Sequence, residues 1–238
     1  MIFIQFFAFI AVLCFVPATI AASCQEELDS RRQNYAIGGF LPRCDAGNSA
    51  LYSPLQCHGS VCYCVSSDGT RLSEYSNIPI GTPGNCECAR EEDEFRKTGM
   101  RGQIFNCAPD GTYSPTRCTG SRCFCVNRDG TRMQEYLEAN IWEASECACA
   151  RAKADYAERR IRGLRFNCER DGSYGAKQCT GSTCRCVKRN GNPIAEFQSF
   201  HIAHSSDCGC ARAKEDASRS GVKGQPNLSC AQDGSFIQ

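Results

Sequence analysis

In 238 residues the chain carries 21 Cys, about one residue in eleven, and a net charge of only +1. That cysteine density marks a secreted disulfide scaffold rather than a cytosolic enzyme. The near-neutral charge excludes nucleic-acid binding through a global positive field.

Residues 1–22 read as a signal peptide. Ile2 to Val16 is almost wholly apolar, and small residues follow at Ala18, Ala21 and Ala22. The run breaks at Pro17, short of the ~20 residues a membrane anchor needs. Cleavage would remove Cys14 and leave twenty Cys, an even number suited to complete pairing in an oxidising compartment. No later segment could span a bilayer, so the expected location is extracellular, with no membrane contact in the mature form.

Those twenty Cys repeat. Copy one, residues 24–86, uses Cys24, Cys44, Cys57, Cys62, Cys64 and Cys86. Copy two, residues 88–147, uses Cys88, Cys107, Cys118, Cys123, Cys125 and Cys147. Copy three, residues 149–208, uses Cys149, Cys168, Cys179, Cys184, Cys186 and Cys208. Copy four, residues 210–238, opens with Cys210 and Cys230. In every complete copy the last three steps between Cys are 5, 2 and 22 residues. One residue (Glu87, Ala148 or Gly209) separates each copy from the next, which predicts a semi-rigid array. By analogy with copy three, the next Cys of copy four falls beyond Gln238, as in a fragment of a longer protein. The net charge runs −3 over residues 23–87, −2 over 88–147 and +5 over 149–208. The basic third copy reads as a solvated face or as one that favours an acidic partner.

Within each copy the first Cys opens a helical stretch. Ala150 to Arg160 is rich in helix formers, with Asp155 and Arg159 spaced to pair. Gly163 follows it, as Gly99 and Gly102 do in copy two, and glycine commonly ends a helix. Asp-Gly turns come next at Asp110-Gly111, Asp171-Gly172 and Asp233-Gly234. Each is followed by an aromatic, Tyr113, Tyr174 or Phe236, with Tyr52 in that place in copy one. Further turns at Asp68-Gly69, Asp129-Gly130 and Asn190-Gly191 follow the fifth Cys and read as hairpin signals. The predicted class is therefore small disulfide-rich α+β repeats in tandem, each a short N-terminal helix plus a small antiparallel β-sheet. About sixty residues make only a marginal core. A disulfide closing a loop of about twenty residues contributes roughly 3 kcal/mol in the chain-entropy view.

Catalytic chemistry finds no support. The three His, His58, His201 and His204, do not recur between copies, and the Cys belong to the framework. His201 and His204 beside Cys208 and Cys210 could be drawn as a zinc site, but those Cys match the repeat and the other copies lack these His. No metal, cofactor or enzymatic activity is expected. Asn227-Leu228-Ser229 is a glycosylation sequon.

Copy one reads Phe40-Leu41-Pro42-Arg43-Cys44, Leu51-Tyr52-Ser53-Pro54-Leu55-Gln56-Cys57, Cys62-Tyr63-Cys64-Val65 and Asp68-Gly69. This resembles the thyroglobulin type-1 repeat, with its Gln-Cys pair followed by Cys-aromatic-Cys-Val. The resemblance implies that Cys pair in order, first with second, third with fourth and fifth with sixth, and that each copy folds alone on internal bridges. There are departures. Arg117 replaces the Gln in copy two, Tyr63, Phe124 and Arg185 replace the usual Trp, and Pro42 has no partner in the later copies. The loop between the third and fourth Cys is two residues short. Members of this family include inhibitors of papain-like cysteine proteases, and similar repeats occur in spider venom proteins. The implied partner is thus a papain- or cathepsin-like protease, met by three loops: Ile37, Gly38, Gly39, Phe40 and Leu41; His58, Gly59, Ser60 and Val61; and Ser73 to Ile80. The competing expectation is a non-inhibitory extracellular binding or adhesion module.

Overall fold

The structure, a computed structural model, describes residues 22–34, 37–142, 146–160, 163–220 and 228–237. The apolar leader through Ala21 and the sequon Asn227 lie outside these residues. The elements repeat with the Cys. Copy one has helix α1 (Cys24–Gln33), strands β1 (Leu55–His58) and β2 (Val61–Cys64), and the short β3 (Ile78–Pro79). Copy two has α2 (Glu87–Lys97), β4 (Thr116–Thr119), β5 (Arg122–Cys125) and β6 (Ala139–Asn140). Copy three has α3 (Ala148–Glu158), β7 (Lys177–Thr180), β8 (Thr183–Cys186) and β9 (Phe200–His201), and α4 (Gly209–Ser220) opens copy four. Each complete copy holds one three-stranded antiparallel sheet with the second strand central. Among the described residues no helix is long and apolar enough to cross a membrane.

Ten disulfides join the described Cys in sequential order, from Cys24–Cys44, Cys57–Cys62 and Cys64–Cys86 through to Cys210–Cys230. The second bridge of each complete copy staples a hairpin directly across, because Cys57 faces Cys62 in the register, as Cys118 faces Cys123 and Cys179 faces Cys184. These hairpins turn at Gly59-Ser60, Gly120-Ser121 and Gly181-Ser182, where each Gly holds φ near +60°.

The Asp-Gly pairs have another role than hairpin turns. Asp68-Gly69 closes a short loop behind the isolated Val65–Arg71 bridge, and Asp110-Gly111 closes one between Cys107 and Tyr113. Glycine is required at the first site on two counts. Gly69 has φ +88°, and a Cβ there would lie 2.8 Å from the Tyr52 ring. Gly130 and Gly191 stand in the same relation to Tyr113 and Tyr174. Each ring thus packs onto the later turn of its own copy, which accounts for the aromatic that accompanies the turns.

Every bridge lies within one copy, yet the packing crosses from each copy to the next. The cluster around Cys62, Cys64, Ile78 and Cys86 in copy one includes Ala89 of copy two. Ala150 joins the corresponding cluster of copy two, and Ala211 that of copy three. The single residue between copies is no free linker, for Glu87, Ala148 and Gly209 are the first residues of helices. The chain turns into each helix at a Cys held in the left-handed region, with φ of 61° at Cys86, 48° at Cys147 and 63° at Cys208. That conformation costs a non-glycine residue ~1–3 kcal/mol and persists only where the surroundings fix it.

A buried arginine does much of the fixing. Arg90, 9% exposed, donates from Nη2 to Tyr52 O (2.6 Å), Val65 O (3.1 Å) and Ser66 O (3.2 Å) of the preceding copy. Arg151, 7% exposed, reaches Tyr113 O (3.0 Å) and Val126 O (2.6 Å), and Arg212, 8% exposed, reaches Tyr174 O (2.9 Å) and Val187 O (2.7 Å). Hydrogen bonds to a charged group contribute ~1.5–3 kcal/mol each, and removing the donor would strand buried carbonyls. Burial pushes all three guanidinium pKa values down from the ordinary arginine value, with nearby carboxylates such as Glu94, Asp155 and Asp216 opposing it. Two joints carry a second clasp. Arg128 bridges Asp110 and Asp155, and Arg189 bridges Asp171 and Asp216. Asp155 is therefore held by Arg128 of the copy before, where the sequence suggested Arg159. At the first joint the Tyr75 hydroxyl donates to Glu92 (2.8 Å) instead.

The joint leaves no room for a methyl group. A Cβ on Gly172 would sit 2.4 Å from Cys125 Sγ, whereas one on Gly181 at the hairpin turn meets nothing within 4 Å. Both positions have positive φ. Gly181→Ala should cost only the left-handed penalty, about 1–2 kcal/mol. Gly172→Ala should cost about 1–3 kcal/mol more from overpacking. Denaturant melts of the disulfide-intact variants measure both, and equal losses would mean that the Gly172 contact does not constrain the fold.

Candidate functional site

The sequence pointed to three loops in copy one, and the structure brings most of them to one end of the sheet. Ile37 is fully exposed, and Gly38 has φ +85° with no neighbour within 4 Å of its would-be Cβ. Phe40 is half-buried, its ring edge-on to His58 at 5.9 Å and capped by the Arg31 guanidinium at 5.3 Å. That pair sets the 37–41 loop beside the hairpin turn. Leu41 is half-buried and Pro42 buried, so the loop is anchored at its C-terminal end. His58, Gly59 and Ser60 are exposed at the turn itself.

The third loop divides. Ile80 donates its N–H to Ser60 O at 2.9 Å, which ties the end of β3 to the hairpin turn. Ser73–Tyr75 form a short 3₁₀ turn at the opposite end, where Tyr75 packs against the Cys64–Cys86 cluster and meets Glu92. The tip thus consists of residues 37–41, 58–61 and 78–80, while 73–75 belong to the joint.

Gln56 explains the Gln-Cys pair. It is 1% exposed, its Oε1 accepts from Arg43 N (2.8 Å), and its Nε2 donates to Arg43 O (2.7 Å) and Ser53 O (2.8 Å). One buried amide thereby fastens the base of the 37–43 loop to β1. Gln178 makes the equivalent bonds to Asn167 and Gly175. Arg117 in copy two stacks over Tyr113 (4.7 Å) and pairs with Glu91 (2.9 Å) instead. The position of the usual Trp is part of a cation–π pair in copies one and two, Arg71 over Tyr63 and Arg132 over Phe124. Copy three has Arg185 and Pro193 at those two places and so makes no such pair.

One feature of the tip escaped the sequence reading. Ile141 donates its N–H to Ser121 O (2.9 Å) and Ile202 to Ser182 O (2.8 Å), as Ile80 does to Ser60 O. Ile80, Ile141 and Ile202 are 62%, 37% and 50% exposed, so none is held in place by a core. Each lies 16 residues after the fifth Cys of its copy, a register already visible in the sequence. An exposed isoleucine beside a Gly-Ser turn is a recurrent surface rather than a packing requirement. In copy two Trp142 follows, almost fully exposed.

The remaining candidates fall elsewhere. Cys208 and Cys210 are bonded to Cys186 and Cys230. His201 Nδ1 and His204 Nδ1 accept from the Ala203 and Ser206 backbone, and no cluster of three metal-ligating side chains occurs among the described residues. At the base of the first hairpin the Asp68 carboxylate accepts from Ser66 Oγ and Thr70 N, and these bonds lower its pKa to about 2.

A family model described as the thyroglobulin type-1 repeat matches residues 20–86, 86–141 and 144–208. Among curated proteins, the chain is similar to equistatin of Actinia equina, 29% identical over 207 residues, which cover 76% of this chain and 84% of that protein. It is similar to mouse thyroglobulin, 30% identical over 115 residues, 45% of this chain and 4% of the other. The rat H-2 class II histocompatibility antigen gamma chain is 41% identical over 58 residues, 24% of this chain and 20% of the other.

The Asp68 carboxyl gives a pH test of the first hairpin's base. Its folded pKa lies below the unfolded value of ~3.9. Its stabilising contribution is therefore full above that value and lost as pH falls through about 2. A carboxyl titration by NMR should place the Asp68 midpoint near that lower value. Asp68→Asn should remove the acid-dependent loosening of residues 64–71. A midpoint at the ordinary aspartate value would contradict the bonding described.

Proposed function

The chain belongs to the thyroglobulin type-1 repeat family, and from that premise we propose that it is a secreted, non-enzymatic inhibitor of papain-like cysteine proteases that occludes the active-site cleft with the tips of its repeats. The observation that carries the reading is the tip itself. A hairpin turn stapled by Cys57–Cys62 is tied through Ser60 O to the Ile80 backbone and flanked by the Phe40–His58 pair. Such a surface is ordered before it meets a partner and loses little freedom on docking. Its exposed apolar side chains, Ile37 and Ile80, suit a protein cleft better than water. The Gly-Ser turn is narrow enough to enter one, and the clamped backbone resists cleavage.

One feature favours the second reading, a non-inhibitory extracellular binding module. The turn between Cys57 and Cys62 has only two residues, Gly59 and Ser60, outside the strands. A short turn reaches less deeply into a cleft and suits a shallow partner surface.

Inhibition separates the readings. The oxidised chain at micromolar concentration should inhibit papain competitively and exclude an active-site-directed inhibitor. Ile80→Asp should weaken inhibition about tenfold or more, ~1.4 kcal/mol, and leave the melting temperature unchanged, because the side chain is exposed. Full protease activity in the presence of correctly oxidised chain would refute the inhibitor reading in favour of the binding module.

A further inference from the structure

The joints repeat a sequence element that the sixfold cysteine pattern does not contain. Copies two, three and four begin Cys88-Ala89-Arg90, Cys149-Ala150-Arg151 and Cys210-Ala211-Arg212, while copy one begins Cys24-Gln25-Glu26. In copy one the side chain of Glu26 turns back to accept from Ser23 N at 2.8 Å in a capping box. The same three later copies carry the first Asp-Gly turn, at Gly111, Gly172 and Gly234. A Cβ on these would lie 2.4, 2.4 and 2.5 Å from Cys64, Cys125 and Cys186 Sγ of the copy before. Copy one has Asp45 to Leu51 between the equivalent Cys and Tyr, two residues longer and without that pair.

These residues therefore serve their neighbour. The Ala89, Ala150 and Ala211 side chains close the cluster of the preceding copy, while their backbone N–H groups donate to Gly111, Gly172 and Gly234 O of their own. Arg90 grips Val65 O and Ser66 O, the two carbonyls that directly follow Cys64 at the end of β2. The other end of β2, Val61, adjoins Ser60 at the tip. Four strand residues, about 13 Å, separate the grip from the tip, and β2 is the central strand of its sheet.

We propose that the Cys-Ala-Arg helix start and the first Asp-Gly turn of each later copy are positioning elements for the binding tip of the copy before it, so that two successive copies build each tip. The described residues of copy four, 209–220 and 228–237, then have a definite task. They complete the third sheet: Arg212 holds Tyr174 O and Val187 O, Gln198 N donates to Gln232 O (3.1 Å), and Ser206 Oγ donates to Asp233 O (2.8 Å). The structural unit is thus offset from the sequence repeat. This goes beyond the inhibitor reading, since it holds whatever the tips bind.

Amide hydrogen exchange on the full oxidised chain tests it, with Arg212→Ala and Arg212→Lys as variants. Lysine keeps the charge but cannot fork between two carbonyls. Exchange across residues 177–187 and at Ile202 N should rise about tenfold or more in both variants. The corresponding amides of copies one and two should stay within about twofold of the parent. Gly234→Ala, which acts on the same joint by crowding Cys186, should give the same pattern if Arg212→Ala fails to fold. Faster exchange confined to residues 209–220, with Ile202 N still protected, would overturn the proposal, as would an equal rise in all three copies. Protease inhibition plays no part in this readout, so its failure and that of the inhibitor reading are distinguishable.

Discussion

Each joint in this protein buries a positive charge against backbone carbonyls of another copy. A guanidinium in such a place is costly unless its protons are accepted, and carbonyls lacking a strand partner are costly for the same reason. Arg90, Arg151 and Arg212 meet both demands at once. The carbonyls they take lie just past the ends of β2, β5 and β8 and on the tyrosine ahead of β1, β4 and β7, where only isolated bridges pair the chain. With the arginine in place, the alanine before it and the following Asp-Gly turn can press onto the last disulfide of the preceding copy. The left-handed Cys at each junction, the one-residue spacing and the absence of any linker all follow from this contact. A copy of about sixty residues has only a marginal core of its own, and here the next copy adds a wall to it, as in stacked repeat proteins.

Much of this was legible in the sequence. The cysteine register revealed the copies, and helix formers after each first Cys revealed the helices. Asp-Gly pairs did mark turns, but they close single-bridge loops, because the disulfide-stapled hairpin needs only Gly59-Ser60 and its counterparts. The pairing of Cys came from family resemblance and not from spacing. The joint was harder to see, since propensity and periodicity report on local structure and the arginine acts on residues 38 positions earlier in the chain. Its one signal was Cys-Ala-Arg present in three copies and missing from the first. The tip was legible in part. Pro42 and Gln56 marked the anchored loop and Ile80 fell within the third, whereas the recurrence of that isoleucine at Ile141 and Ile202 means little until their exposure is known.

The result is a division of labour along the chain. Positions that make joints are tightly specified: the Gly has no space for a side chain, the Arg meets several carbonyls and the Cys are bridged. Tip positions keep a common backbone, the Gly-Ser turn tied to an isoleucine, but vary in what surrounds it: His58 and Phe40 in copy one, Trp142 in copy two, Thr180 and His201 in copy three.

On this reading the copies form one interlocked body and not beads on a string. Scanning calorimetry of the full oxidised chain addresses it most directly. Interlocked copies should unfold in a single transition with a van't Hoff enthalpy close to the calorimetric one. Three resolved transitions, or a van't Hoff enthalpy about one third of the calorimetric value, would show independent copies and contradict the account.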